Sequence, residues 1–159
     1  VTSEGLARLS LNQASIPAWT LPEAVEGCVR GGVGWIGLWR DRVAETGLQS
    51  ARRAVRDAGL GVSGLCRGGW FDAPDVVTRR ARMDDNRRAV DEAAVLGATC
   101  LVLVCGPAAG RDLESGRRVV AESIAELAPY AAASGVRLAI EPMHPMYCAD
   151  RSAVVTLGQ

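Results

Sequence analysis

The sequence predicts an α/β fold built on a parallel sheet. Three observations carry this. Short apolar segments of strand length alternate with longer segments of helical period, five times along the 159 residues. Three of the helical segments stop at glycine, at Gly31-Gly32, Gly59 and Gly135, where the chain can turn back toward a new strand. The fourth strand segment, residues 99–105, is apolar along its length, as a strand covered on both faces should be.

The elements follow in order. Residues 9–12 form a first strand with Leu9 and Leu11 on one face. Thr20 caps a helix that runs to Arg30, and Glu23, three residues on, reaches back to it. Residues 34–39 are the second strand. A helix over 43–57 places Leu48, Ala51, Val55 and Ala58 on one buried face. Residues 61–66 are the third strand, and a long connection, 67–74, contains Gly68-Gly69-Trp70-Phe71. The helix over 75–96 has small residues on its inner face (Val90, Ala93, Ala94, Gly97), which permits close packing on a sheet. Gly106-Pro107 ends the fourth strand. The helix over 113–133 carries Val120, Ile124, Leu127 and Ala131 on one face. Residues 136–140 form the fifth strand and run into Glu141-Pro142. Asp150-Arg151-Ser152 then opens a last helix whose apolar face begins with Val154, Val155 and Leu157. No linker or low-complexity stretch divides residues 1–159, so they are expected to be one domain.

Two architectures share this pattern: a doubly wound sheet complete in five strands, and part of an eight-stranded barrel of about 250 residues. The first strand–helix loop, residues 13–19, contains no glycine. It therefore lacks both glycine-rich phosphate cradles, which removes the commonest nucleotide-binding functions.

Composition narrows the function classes further. Lys+Arg and Asp+Glu are both 18, for a net charge of +0, which argues against a general nucleic-acid binder and gives no polybasic membrane signal. The start, Val1-Thr2-Ser3-Glu4-Gly5, reads as no secretory leader. The apolar runs are far short of the roughly 20 residues of a membrane helix. Cys28, Cys66, Cys100, Cys105 and Cys148 include no CxxC pair, so unpaired thiols in a reducing cytoplasm are expected, without a zinc finger. The chain has no initiator Met and Gln159 falls inside a helical pattern, so both ends are expected to be cuts or processing points.

In a barrel, chemistry sits where strands end and loops begin. Those places hold Asn12-Gln13, Trp39-Arg40-Asp41, Cys66-Arg67, Gly106-Pro107 and Glu141-Pro142-Met143-His144. Glu141 is the only acid that directly terminates an apolar strand. Such a carboxylate can hold a hard divalent cation or take a proton from a carbon next to a carbonyl; the plainer alternative is a strand-end acid paired with an arginine. His144, the only histidine, can hydrogen-bond a substrate hydroxyl or move a proton, or be an ordinary loop histidine. Trp39 and Trp70 can wall a sugar ring or belong to local core. Arg40, Arg67 and Arg151 can bind phosphate or hydroxyls, or remain solvated.

The stretch Val136-Arg137-Leu138-Ala139-Ile140-Glu141-Pro142 resembles the fifth strand of the xylose-isomerase-like TIM barrels. These include sugar and sugar-phosphate isomerases and epimerases, tagatose-epimerase-like and inosose-dehydratase-like enzymes among them. Residues 34–39, and 93–98 leading into 100–104, are similar to the family's second and fourth strands. The resemblance favours an incomplete parallel (β/α)8 TIM barrel of about five βα units. It implies that Glu141 is both a ligand of a divalent metal, Mn²⁺ or Mg²⁺, and the catalytic acid/base. His144, Trp39 and Arg67 are then expected to bind substrate. The family's other metal ligands come from strands six to eight, so this chain would ligate the metal incompletely. The implied activity is sugar or sugar-phosphate isomerisation or epimerisation by proton transfer next to a carbonyl, carried out by a longer parent. A dehydratase or lyase on the same scaffold, or a truncated non-catalytic relative that forms homo-oligomers through unpaired strand edges, are the alternatives. The expected partner is a small sugar, not nucleic acid or membrane. The family's DNA-repair endonucleases carry histidines after the third and fourth strands. Here Cys66-Arg67 and Cys105-Gly106 stand there, which sets that branch aside.

Overall fold

Five strands line up in chain order in one sheet: β1 (Ser10–Asn12), β2 (Trp35–Trp39), β3 (Gly61–Gly69), β4 (Cys100–Val104) and β5 (Arg137–Ile140). They alternate with α1 (Leu21–Gly31), α2 (Arg40–Thr46), α3 (Leu48–Asp57), α4 (Val76–Leu96) and α5 (Leu113–Ala133). A doubly wound sheet reverses its strand order at a switch point, whereas this order is strictly sequential, as in a barrel. The structure, a computed structural model, describes residues 6, 8–108, 110 and 112–158. Residues 1–5 and Gln159, on which the expectations about the chain's ends rest, lie outside the described residues. The chain divides into two compact units, residues up to 66 with 92–100, and 67–91 with 101 onward.

In the first unit, β1, β2 and β3 pair in parallel. The expected capping box opens α1: Glu23 Oε2 accepts from the Thr20 backbone N–H at 2.7 Å, and Thr20 Oγ1 accepts from the Glu23 N–H at 3.4 Å. Leu21, Ala24, Val25 and Cys28, spaced by three and four, form its buried face beside Ile36 and Leu38 of β2 in the core. The β2–β3 register slips between Ile36 and Gly37, leaving Ser63 as the extra residue of a bulge. Its hydroxyl lies 2.7 Å from that of Ser10, and its carbonyl accepts from the Thr99 hydroxyl.

The single helix expected over 43–57 is two helices. α2 begins directly after β2, and Gly47, at φ 83° and ψ 130°, separates it from α3. Only glycine enters that backbone region without strain. Val43, Ala51 and Val55 are buried on either side of the break, so the apolar spacing runs through it and hides it from a periodicity reading.

In the second unit, β3 continues three residues beyond the expected end. Gly68 and Gly69 belong to the strand because their lack of a side chain is required there. A Cβ on Gly69 would overlap the Val104 carbonyl, and one on Gly68 would sit 2.9 Å from Asn86 Oδ1. Leu101, Leu103 and Val104 of β4 are buried with Val120, Leu127 and Ala131 of α5. The helix expected after Asp150 does not form. Ser152 instead makes a parallel bridge with Gly106, Ala153 N–H donates to Gly106 O at 2.8 Å, and Met143 N–H donates to Val154 O at 3.0 Å. Three consecutive residues, Ser152, Ala153 and Val154, are buried. That is the burial of an extended segment laid against strand ends; a helix would bury every third or fourth residue.

All five cysteines are free thiols. Among the described residues, no helix is long and apolar enough to cross a membrane.

Candidate active site

Strand β4 organises the site in the second unit. On one side, Trp70 N–H donates to Val104 O at 2.7 Å and Phe71 N–H to Cys105 O at 2.9 Å. On the other, Glu141 N–H donates to Leu103 O at 3.0 Å. Glu141 therefore stands directly after β5, where the sequence places it, with its backbone fixed and its side chain half-buried. Among the described residues no basic side chain pairs with its carboxylate, so the expectation of a strand-end acid held by an arginine does not describe it.

His144 is exposed and caps the short 3-10 turn Pro145–Tyr147. Its Nδ1 accepts from the Met146 N–H at 3.2 Å. In the neutral ring this assigns the proton to Nε2, which is left to donate. Arg67 is exposed and lies over the Trp70 indole, with its guanidinium carbon 4.4 Å from the ring centroid. Arg151 lies over the Tyr147 ring at 5.1 Å.

Two residues that matter to this geometry escape a sequence reading. Asn86, on α4 and 1% exposed, grips the Gly69 peptide from both sides: Oδ1 accepts from Gly69 N–H at 2.6 Å, and Nδ2 donates to Gly69 O at 2.8 Å. Arg82, one turn earlier, donates to Trp70 O at 3.1 Å and pairs with Asp72. The signal that could have found Asn86 is an amide at a helix position whose neighbours by spacing, Met83 and Val90, are buried and apolar.

Trp39 lies in the first unit. Its Nε1 donates to Asn12 Oδ1 at 2.9 Å and its backbone N–H to Gln13 Oε1 at 3.3 Å. It borders a shallow groove of about 190 Å³ with Gln13, Ala14, Pro17, Asp41 and Arg42. Arg40 is engaged by Glu92 through two bonds of 2.6 and 3.1 Å, so it belongs to an ion pair and not to a phosphate site.

The donor set is poor for a metal. Among the described residues no three His, Cys, Asp or Glu side chains cluster. Burial pushes the Cys105 thiol at the end of β4 up to about 11, which keeps it protonated and a poor ligand or nucleophile. Glu141 is a lone carboxylate, and one carboxylate does not make a Mn²⁺ or Mg²⁺ site. The residues present do not fit the metal by themselves.

Parallel β/α units in strict order, with an unpaired acid closing the fifth strand, define the class: a β/α-barrel protein. The chain belongs to the xylose isomerase-like TIM barrel family, whose model matches residues 24–157. No protein of curated function matches it. Among solved structures it is similar to protein SMc04130 from Sinorhizobium meliloti 1021, with 52% identity and a TM-score of 0.93 over 96% of this chain and 57% of that one. It also resembles a D-psicose 3-epimerase solved in the presence of D-fructose, with 16% identity and a TM-score of 0.71 over 86% of this chain and 52% of that one. IolI protein with a bound zinc atom gives 17% identity and a TM-score of 0.75 over 91% of this chain and 53% of that one. At such identities the last two show a shared fold. The chain spans little more than half the length of these relatives.

Proposed function

We propose that the protein carrying this sequence is a sugar or sugar-phosphate isomerase or epimerase, with Glu141 as the acid/base. The observation that carries this reading is the unpaired, half-buried carboxylate at the end of β5, its backbone tied to Leu103 O. Sugar epimerases among the structural neighbours support the substrate class.

Glu141 takes the proton from a carbon next to the substrate carbonyl, and the electron pair moves toward the carbonyl oxygen to give an enediolate. Return of the proton to the adjacent carbon gives isomerisation. Return to the opposite face of the same carbon gives epimerisation and needs a second acid. His144, with Nδ1 occupied, donates through Nε2 to a substrate hydroxyl. Arg67, in the same unit as Glu141, completes the proposed binding set. Dependence on Mn²⁺ or Mg²⁺ is part of the proposal only for a protein in which further ligands join Glu141.

The test is solvent-proton exchange. The native gene product is incubated in D₂O with a panel of aldoses, ketoses and their phosphates, D-fructose among them, and NMR follows deuterium entry beside the carbonyl. Exchange with at least one sugar is expected, and Glu141→Gln should slow it by about 10²-fold or more. No exchange across the panel, or an undiminished rate in the variant, would falsify the reading. A dehydratase shows itself in the same spectra as a product that has lost water.

A further inference from the structure

Gln13, directly after β1, is 2% exposed. Its Oε1 accepts from the Trp39 N–H at 3.3 Å. A backbone N–H can only donate, so this bond fixes which end of the amide carries the oxygen. Nε2 is left at the other end. It is the one buried side-chain N or O atom without a partner among the described residues. The buried amide of Asn86 makes the contrast, since both of its ends are bonded. A buried donor without an acceptor destabilises a fold. This fold uses only the oxygen of Gln13, and a side chain with an acceptor alone would serve it as well.

Gln13 also lines the groove of about 190 Å³ shared with Ala14, Pro17, Trp39, Asp41 and Arg42. All six residues belong to the first unit. Most polar groups around the groove are already spent. The Trp39 indole N–H goes to Asn12, and the Arg42 guanidinium goes to Glu45 and to Pro17 O. Asp41 is different. It is exposed, its Oδ1 accepts from the Arg42 N–H at 2.9 Å, and its Oδ2 has no partner among the described residues. The lining thus offers one neutral donor and one free carboxylate oxygen, while Glu45 meets the charge of Arg42. The amide N–H₂ turns a metal ion away, and Asp41 repels an anion. A single water, with a liquid volume of about 30 Å³, fills only a small part of such a groove.

We propose that this groove binds a small cationic amino alcohol. A ligand hydroxyl oxygen accepts from Gln13 Nε2, the ammonium pairs with Asp41, and the carbon chain lies against Ala14, Pro17 and the Trp39 ring. The site is built by the first unit alone and uses no group assigned to the proton-transfer chemistry, so it stands or falls separately from Glu141.

The experiment uses the wild-type gene product with 2-amino-1,3-propanediol, glycerol and glycerol 3-phosphate as probes. ¹H–¹⁵N NMR follows the Gln13 side-chain N–H₂ signals. They are assigned by their absence in Gln13→Glu, which keeps an acceptor for the Trp39 N–H. The amino alcohol should shift these signals at about millimolar concentration. Glycerol should bind about fivefold more weakly, the worth of an exposed ion pair, and glycerol 3-phosphate should leave the signals in place. Asp41→Asn, at an exposed position, should bring the amino alcohol level with glycerol. Signals unmoved by every probe, with magnetisation exchange to a bound water alone, would make the groove a hydration site and overturn the proposal. Glycerol binding as well as the amino alcohol, or undiminished binding in Asp41→Asn, would also overturn it, because Asp41 would then select no cation.

Discussion

The strand ends of the two units use hydrogen bonds in opposite ways. After β1 and β2, side chains satisfy one another: the Trp39 indole N–H goes to Asn12, and Arg40 goes to Glu92. At the end of β3, helix α4 reaches to the backbone instead, and after β5 the Glu141 N–H is held by Leu103 O. Asn86 holds Gly69 and Arg82 holds Trp70 O, and the Trp70 indole N–H and the Glu141 carboxylate are left without a polar partner among the described residues. The first arrangement consumes the Trp39 indole N–H and the Arg40 guanidinium, and leaves Gln13 Nε2 as the one buried side-chain N or O without a partner among the described residues. The second fixes the chain and spares the Trp70 indole N–H and the Glu141 carboxylate, which is how a scaffold preorganises a site.

The largest stability effect should come from breaking the clamp. Asn86→Ala removes two bonds to the Gly69 peptide and leaves its buried N–H and C=O unmatched. About 3 kcal/mol of destabilisation is expected, and urea denaturation measures it. A loss below about 1 kcal/mol would mean that solvent takes over the peptide and that the clamp is not what holds Trp70.

A paired substitution sharpens the comparison. Trp39→Phe deletes the bond to Asn12 and should cost about 1 kcal/mol. Trp70→Phe deletes no hydrogen bond among the described residues, so its midpoint in the same urea titration should stay close to wild type. Equal losses at the two positions would erase the distinction between spent and spared groups.

The sequence shows the strand–helix alternation, the α1 capping box and the place of Glu141, because each is written in adjacent residues. Residues 67–69 are misread because glycine usually marks loops, whereas here it permits β3 to run close to β4. The break at Gly47 is hidden by an apolar spacing that survives the turn. The tail after Asp150 has a helical pattern of valines, yet its Ala153 N–H donates to Gly106 O and its Val154 carbonyl accepts from the Met143 N–H, with Ser152 and Gly106 bridged across more than 35 residues of sequence. Asn86 is legible as an anomaly, but its partner is not: a helix sequence cannot say which peptide its amide will meet.

The helix that carries the clamp should also depend weakly on acid. Asp75 stands at the head of α4, which carries Asn86 and Arg82, and its carboxyl is held below the usual range chiefly by the Thr78 backbone N–H, 2.7 Å away, then by the Thr78 hydroxyl. Asp112 is lowered in the same way by Ser115 at the head of α5. Because the folded values lie below the unfolded one of about 3.9, the unfolded chain binds more protons in between. The stabilisation is then present above that value and disappears as pH falls through the lowered folded ones. Both groups are fully exposed, so the effect is the smallest of those set out here. Urea midpoints measured from pH 5 to pH 2 should fall less steeply in Asp75→Asn, which keeps an acceptor oxygen and cannot titrate. If the variant follows the wild-type curve, the Asp75 cap does not couple to the stability of α4, and acid loosens the fold through other carboxylates.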